Sequence, residues 1–245
     1  MKNTVKYILH KLLGFKNYLF VFSLFKIYTL KSDKNEKDFF QFLSLIPENT
    51  VVLDIGANIG IMTVHLARAV KGVTVYSFEP MPNNITAFKR IVNYFKLSNV
   101  SLFETALGNT EGEAEMVMPV ISSVRMQGLS HVVHSSITEH NEGEHFKVPL
   151  KVLDKMDELM NAEKRISAIK IDVENFEFFV LDGARNLILK NKPIVYAELW
   201  ENENRQKCFD LFQKLNYKIF IVIENEMLKF DSAKHKTQNF IFLPA

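Results

Sequence analysis

Between residues 51 and 243 short apolar runs alternate with amphipathic stretches. Val51–Ile55 is an apolar run interrupted only by Asp54 and closed by Gly56, the pattern of a strand buried on both faces. Residues 59–70 read as a helix after a glycine-rich turn, and 73–78 as a β-branched second strand. Pro82 and the pair Asn83–Asn84 are helix-start signals, and Ile85, Phe88, Val92 and Phe95 recur at helical spacing. Val100–Phe103 is a third strand. Strand, helix, strand, helix, strand in that order predicts parallel pairing with helical crossovers.

The middle loses this rhythm. Gly108, Asn109 and Gly112 mark a tight turn before 114–118, and residues 119–145 are rich in Ser, Gly and His without a period. Phe146, Val148, Leu150 and Val152 then alternate with polar residues and Pro149, which predicts a half-exposed strand pairing antiparallel with 114–118. Together they form a β-excursion over about 109–152. Asp154 is a candidate cap for a short helix ending near Met160. Ile166–Ile171 resumes the buried-strand pattern. Phe176, Phe179, Val180, Gly183, Ala184, Leu187 and Ile188 give the clearest amphipathic helix in the chain. A fifth strand follows at 194–199, a helix around Cys208–Leu215, and two last strands at 217–223 and 239–243, joined hairpin-fashion through a polar connection. Seven main strands result, in one domain over 47–245 behind an extension over 1–46.

Charge separates the extension from the body. Residues 1–31 hold six Lys and no acidic residue, and seven of the 21 Phe lie in the first 46 residues. The overall +2 is thus +6 on the first 31 residues against −4 on the rest. The uncharged stretch 17–25 is too short for a membrane span, and Lys26 and Lys31 stand where a signal peptide would carry small cleavage-site residues. Two readings stay open: a helical extension packed on the domain, or a basic amphipathic surface resting on an anionic membrane through residues 1–31. The acidic body argues against an extended nucleic-acid track. The lone Cys208 cannot form an internal disulfide, which fits a reducing compartment and a cytoplasmic protein, held at the inner face of a membrane if the second reading of residues 1–31 is right.

The candidate chemistry sits at strand ends. In VVLDIGANIG, Asp54, Gly56, Ala57, Asn58 and Gly60 lie between the first strand and its helix, where glycine lets the backbone approach a ligand and the helix N-terminus offers unpaired N–H groups. Glu79 and Pro80 close the second strand, and a carboxylate there can accept hydrogen bonds from both ribose hydroxyls. The spacing Gly56-x-x-x-Gly60 is not the G-x-G-x-x-G of a dinucleotide site. A cofactor without phosphate and with a cationic sulfonium, S-adenosylmethionine, suits the acidic surroundings better.

These motifs continue in order: DIGANIG, SFEP at 77–80, ALG at 106–108, IKIDVE at 169–174 and YAEL at 196–199. The set resembles the FkbM family of class I S-adenosylmethionine-dependent methyltransferases, over roughly residues 50–243. The resemblance implies an α/β, Rossmann-like seven-stranded sheet, mostly parallel with an antiparallel last strand. It also implies methyl transfer to an oxygen of a sugar, glycan, polyketide or other small molecule. One departure is visible: Asn175 stands where the pattern K-x-D-x-E-G-x-E carries Gly, beside Lys170, Asp172, Glu174 and Glu177. Asn is the commonest non-glycine residue at positive φ, so the backbone turn is expected to survive.

By position, Asp54 and the 56–60 turn are expected to hold the amino-acid end of the cofactor, Glu79 its ribose, and Glu104, Thr105 and Ala106 its adenine. Asp172 is the first candidate base, with Glu174 next; Asp172, Glu174 and Glu198 are alternatively ligands of a divalent cation, or Asp172 serves only to orient the cofactor. Lys170 is expected to face solvent or pair with an acid, and Glu177 to lie on a helix surface. His131, His134, His140 and His145 fall in the irregular segment, read as a solvated loop or a lid over the acceptor. Trp200, directly after the fifth strand, is either a sugar platform or a rim aromatic.

Overall fold

The computed structural model describes residues 2–121, 124–137 and 139–245. Ser122, Ser123 and Thr138 of the expected insert lie outside them. Three helices come first: α1 (Lys2–Leu13), α2 (Phe15–Thr29) and α3 (Lys37–Ser44). The alternating region follows as β1 (Val51–Ile55), α4 (Ile61–Ala69), β2 (Thr74–Phe78), α5 (Pro82–Tyr94) and β3 (Val100–Phe103). The insert comprises β4 (Ala106–Leu107), β5 (Gly112–Ile121), β6 (Val124–Arg125), β7 (His131–Val132) and β8 (Gly143–Lys151). The chain then forms α6 (Asp157–Met160), β9 (Ile166–Ile171), α7 (Glu177–Asp182), α8 (Arg185–Asn191) and β10 (Ile194–Glu198). It closes with α9 (Glu203–Lys214), β11 (Tyr217–Ile223), β12 (Glu226–Lys229) and β13 (Asn239–Pro244).

The main sheet runs β12-β11-β13-β10-β9-β1-β2-β3. β3, β2, β1, β9 and β10 pair in parallel, and β13 is antiparallel to both of its neighbours. The inner strands are apolar throughout because both faces are covered. Val52, Val75, Ala168, Tyr196 and Ile241 meet α3 and α4 on one face; Leu53, Ile169, Val195, Phe240 and Phe242 meet α7, α8 and α9 on the other. The sheet leaves β1 toward β2 and β3, then resumes at β9 on the other side of β1. That reversal opens a crevice at the carboxyl ends of β1 and β9, where open α/β sheets bind ligands.

Three expectations change. The main sheet has eight strands, not seven. Glu224 and Asn225, at φ 51° and 70°, form a two-residue turn that folds β12 back on β11, with Ile223 opposite Glu226. Four residues with two apolar side chains are too short a pattern to read. The amphipathic helix over 176–188 is two helices, α7 and α8, because Gly183 interrupts it: a Cβ there would lie 2.1 Å from the Gly108 carbonyl oxygen. Asp154 caps a helix other than its own, accepting from Asn186 N (2.9 Å) and Leu187 N (2.8 Å) in the first turn of α8.

The β-excursion pairs as expected, Met116 opposite Phe146, and extends to Pro119 opposite Gly143. The extension is built into the domain on one side: Tyr18, Leu19, Ser23 and Ile27 of α2 are buried. Val21, Phe25 and Tyr28 of the same helix, with Ile8, Leu9, Leu12 and Leu13 of α1, are exposed. Among the described residues no helix is long and apolar enough to cross a membrane.

Candidate functional site

A cleft of about 580 Å³ of free space, open to solvent, lies at the carboxyl ends of β1, β2 and β9. The turn after β1 forms its floor. Gly56 sits at φ 74°, and a Cβ there would fall 1.8 Å from the Asp172 carbonyl oxygen. Only glycine permits this approach of the β1 turn to the β9 end. Gly60, also left-handed at φ 83°, answers a different need: its Cβ would meet Phe88 at 3.2 Å, so it makes room for α5 and not for a ligand.

Glu79 organises the cleft. Its Oε2 accepts from Asn58 N at 2.8 Å, and its Oε1 accepts from Met81 N at 2.8 Å and Asn84 Nδ2 at 3.2 Å. One carboxylate thus ties the glycine turn to the start of α5. Burial pushes Glu79 up to about 7 against the pull of these donors.

Behind the turn lies a charged centre. Lys170 is only 3 % exposed, one residue before the carboxyl end of β9. Its Nζ donates to Gly56 O at 2.9 Å and stands 3.6 Å from Asp54 Oδ1 and 3.8 Å from Asp172 Oδ2. Burial pulls the ammonium down, but Asp54, Asp172 and Glu198 outweigh it and the net direction is upward. Lys170 therefore pairs with acids, in the interior rather than at the surface. Asp54 is fully buried, and Thr63 Oγ1 donates to its Oδ2. It shapes the turn from behind and does not line the cleft, contrary to the expected cofactor contact.

The β9 end carries the remaining acids. Glu174 and Asn175 are consecutive left-handed residues, at φ 53° and 75°. The turn expected at Asn175 survives without glycine because Asn202 Nδ2 donates to its side-chain oxygen (2.7 Å) and Asn204 Nδ2 to its carbonyl (3.0 Å). Burial and the carboxylates of Asp172, Glu198 and Glu177 push Glu174 up to about 9. Glu177 is no surface residue: it is 2 % exposed, its Oε1 accepts from Val173 N at 2.9 Å, and burial drives it up to about 8.

The cleft brings together Gly56, Asn58, Glu79, Pro80, Thr105, Ala106, Asp172 and Glu174. Ala57 lines an adjoining chamber instead. Glu104, expected at the adenine, is exposed and pairs with Lys89 at 2.5 Å, because the chain turns into the cleft only at Thr105. Glu198 is half-buried away from the cleft wall, and burial and Asp172 push it up to about 7. Among the described residues no group of three His, Cys, Asp or Glu side chains could hold a metal ion. Asp172, Glu174 and Glu198 thus do not form the expected chelate, since Glu198 stands off the wall the other two line. Neither Trp200 nor any of the four insert histidines lines the cleft. His131 is buried, its ring nitrogens bonded to Leu129 O and Asn141 Oδ1, so that part of the insert is packed rather than solvated.

Sequence reasoning missed Asn84, Gln127, Ser130 and the buried role of Lys170. Lys170 had a signal: a lone charge inside the run Ile166–Ile171. Gln127 and Ser130 had none, lying in an aperiodic segment. Among the described residues, four in the cleft hold buried side-chain atoms without a protein partner: Asn58 Oδ1, Asn84 Oδ1, Gln127 Oε1 and Ser130 Oγ. Buried polar atoms are normally satisfied, so this set marks a place for a polar ligand.

The sheet and its insertion define a class I methyltransferase fold. Two solved structures share it: an FkbM methyltransferase from Methylobacillus flagellatus KT (15 % identity, TM-score 0.53, covering 82 % of this chain and 45 % of that one) and an S-adenosylmethionine-dependent O-methyltransferase from Thermotoga maritima (13 %, 0.50, 89 % and 69 %). Methyltransferase 1 of Beauveria bassiana (strain ARSEF 2860) is 28 % identical over 148 residues, which is 56 % of this chain and 59 % of that protein. Residues 54–235 match the Methyltransferase FkbM domain, and the chain belongs to that family.

Proposed function

We propose that the protein transfers a methyl group from S-adenosylmethionine to a hydroxyl oxygen of a small-molecule or glycan acceptor. The observation that carries this reading is the set of four unpartnered polar atoms around Glu79. Three are amide oxygens that accept and one is a hydroxyl that can also donate, which suits the O–H and N–H groups of a nucleoside, and the acids beside them suit a cation. Glu79 Oε2, which already accepts from Asn58 N, keeps a lone pair for one ribose hydroxyl, while Thr105 and Ala106 border the base. Bound there, the cofactor supplies an electrophilic methyl group on a cationic sulfur.

Asp172 and Glu174 stand at the cleft end nearest the charged centre. Glu174, raised to about 9, holds its proton at neutral pH and is a poor base in the empty site. Asp172 faces the Lys170 ammonium, and it accepts the hydroxyl proton of the acceptor. Lys170 and the Gly56 carbonyl hold Asp172 and the turn in register, so much of the catalysis is positioning.

Calorimetric titration with S-adenosylmethionine tests the reading. Glu79→Ala is expected to weaken binding by roughly 10- to 100-fold, the loss of charge-assisted hydrogen bonds. Unchanged affinity in a folded variant overturns the ribose assignment, and no binding by the parent protein overturns the function.

A further inference from the structure

Beside the cofactor cleft lies a second chamber, open to solvent, with about 620 Å³ of free space. The two share Gly56, Asn58, Gln127, Gly128 and Asp172, so Asp172 borders both. The chamber is walled by the N-terminal extension. Phe22 of α2 and Leu30 just after it come from one side, Ile61 and Met62 of α4 from the other. Glu36 adds a carboxylate.

This wall is fixed to the cofactor turn. Ser23 Oγ lies 3.2 Å from Ile59 O and 2.8 Å from Leu19 O, and Ser23 is fully buried. Leu19 packs against Ile59 and Ala87 in the same small core. From the other side α1 and α2 reach the insert, with Lys6 Nζ 3.7 Å from Met126 Sδ and the Arg125 guanidinium 5.2 Å from the Phe15 ring centre. Gln127 and Gly128, the next two residues, line both spaces.

We propose that this chamber is the acceptor site and that the N-terminal extension selects an alcohol carried on an apolar body, aliphatic or aromatic, over a bare sugar. The inference rests on reading the neighbouring cleft as the methyl-donor site. The chamber walls explain the selectivity. Its two lysines are already engaged, Lys26 with Asp33 at 2.9 Å and Lys170 with Gly56 O. Glu36, Asn58 and Gln127 offer acceptors to one end of a polyol, but its remaining hydroxyls would lie against Phe22, Leu30, Ile61 and Met62 and lose water without gaining partners. An alcohol with an apolar body buries that body against the same side chains and places its one hydroxyl at Asp172.

The test uses the full chain saturated with S-adenosylhomocysteine. Ligand-observed NMR follows three probes: hexan-1-ol, 3-phenylpropan-1-ol and glucose. The two alcohols are expected to bind and glucose not. Met62→Trp, which fills the chamber, is expected to abolish alcohol binding while S-adenosylhomocysteine titrates as in the parent. Phe22→Ala is the second variant, should Met62→Trp not fold, and is expected to weaken alcohol binding by about five-fold or more. Glucose binding as well as the alcohols, or alcohol binding indifferent to both substitutions, overturns the inference. If S-adenosylhomocysteine binds and the alcohols do not, the acceptor site alone is wrong. If the alcohols bind in a Met62-dependent way and S-adenosylhomocysteine does not, the donor site is wrong and the chamber stands.

Discussion

Replacing Lys170 by Met removes one charge from the least accessible part of the site while keeping most of the side-chain volume. Asp54 is fully buried, its Oδ2 held by Thr63 and its Oδ1 without a hydrogen-bond partner, only 3.6 Å from Lys170 Nζ. Without the ammonium, Asp54 is a buried charge with one hydroxyl for company, and the Gly56 carbonyl loses its donor. Breaking such a pair from one side costs about 3–5 kcal/mol. In a chain of this size each kcal/mol moves Tm by roughly 2–4 °C, so the expected fall is roughly 6–20 °C by thermal unfolding. Adding Asp54→Asn removes the stranded charge and is expected to recover at least about half of that loss, a coupling of about 1.5 kcal/mol or more in the double-mutant cycle. A fall under about 2 °C, or a double variant no more stable than Lys170→Met, refutes the claim that Lys170 neutralises Asp54.

Two further outcomes follow from the acids and from the turn at β9. Glu79, Glu174, Glu177 and Glu198 are all raised, to about 7, 9, 8 and 7, so between the ordinary carboxylate range and those values the folded protein holds protons that the unfolded chain has released. Stability of the ligand-free protein is therefore expected to fall as pH rises from about 5 to about 9, and Glu177→Gln to flatten the slope; a flat or rising Tm profile in the parent contradicts the burial argument. Asn175→Ala forces a residue with a Cβ but no polar arm to keep φ 75° and cuts the bond from Asn202, an expected cost of about 2–3 kcal/mol by denaturant unfolding, whereas Asn175→Gly loses only the bond and costs about 1 kcal/mol. Equal costs for the two would mean the left-handed backbone is not what Asn175 supplies.

The charge asymmetry of the chain takes on a structural meaning. The basic, aromatic extension and the acidic body meet beside the cleft, where α2 is bonded to the turn after β1 through Ser23 and Ile59. Its buried face walls the second chamber through Phe22, and its other face leaves Val21, Phe25 and Tyr28 exposed.

The alternation of buried runs and amphipathic stretches, read from the residues alone, determined the order of the parallel strands and their helices. Those signals are local: a strand covered on both faces must be apolar at every position, and a helix start needs a cap or a proline. The same locality made the left-handed β1 turn legible, since a sharp turn at a strand end needs glycine, and placed Glu79 at the end of the second strand, where it bonds to that turn. What only the tertiary structure decided depends on contacts between distant segments. Gly60 serves Phe88, Gly183 serves Gly108, Asp154 caps a helix more than thirty residues on, and Asp54 faces Lys170 across the sheet instead of a ligand. The walls of the second chamber combine residues 22 to 62 with 127–128 and 170–172. No period or motif joins positions that far apart, because what brings them together is the burial of side chains against one another once the sheet has formed.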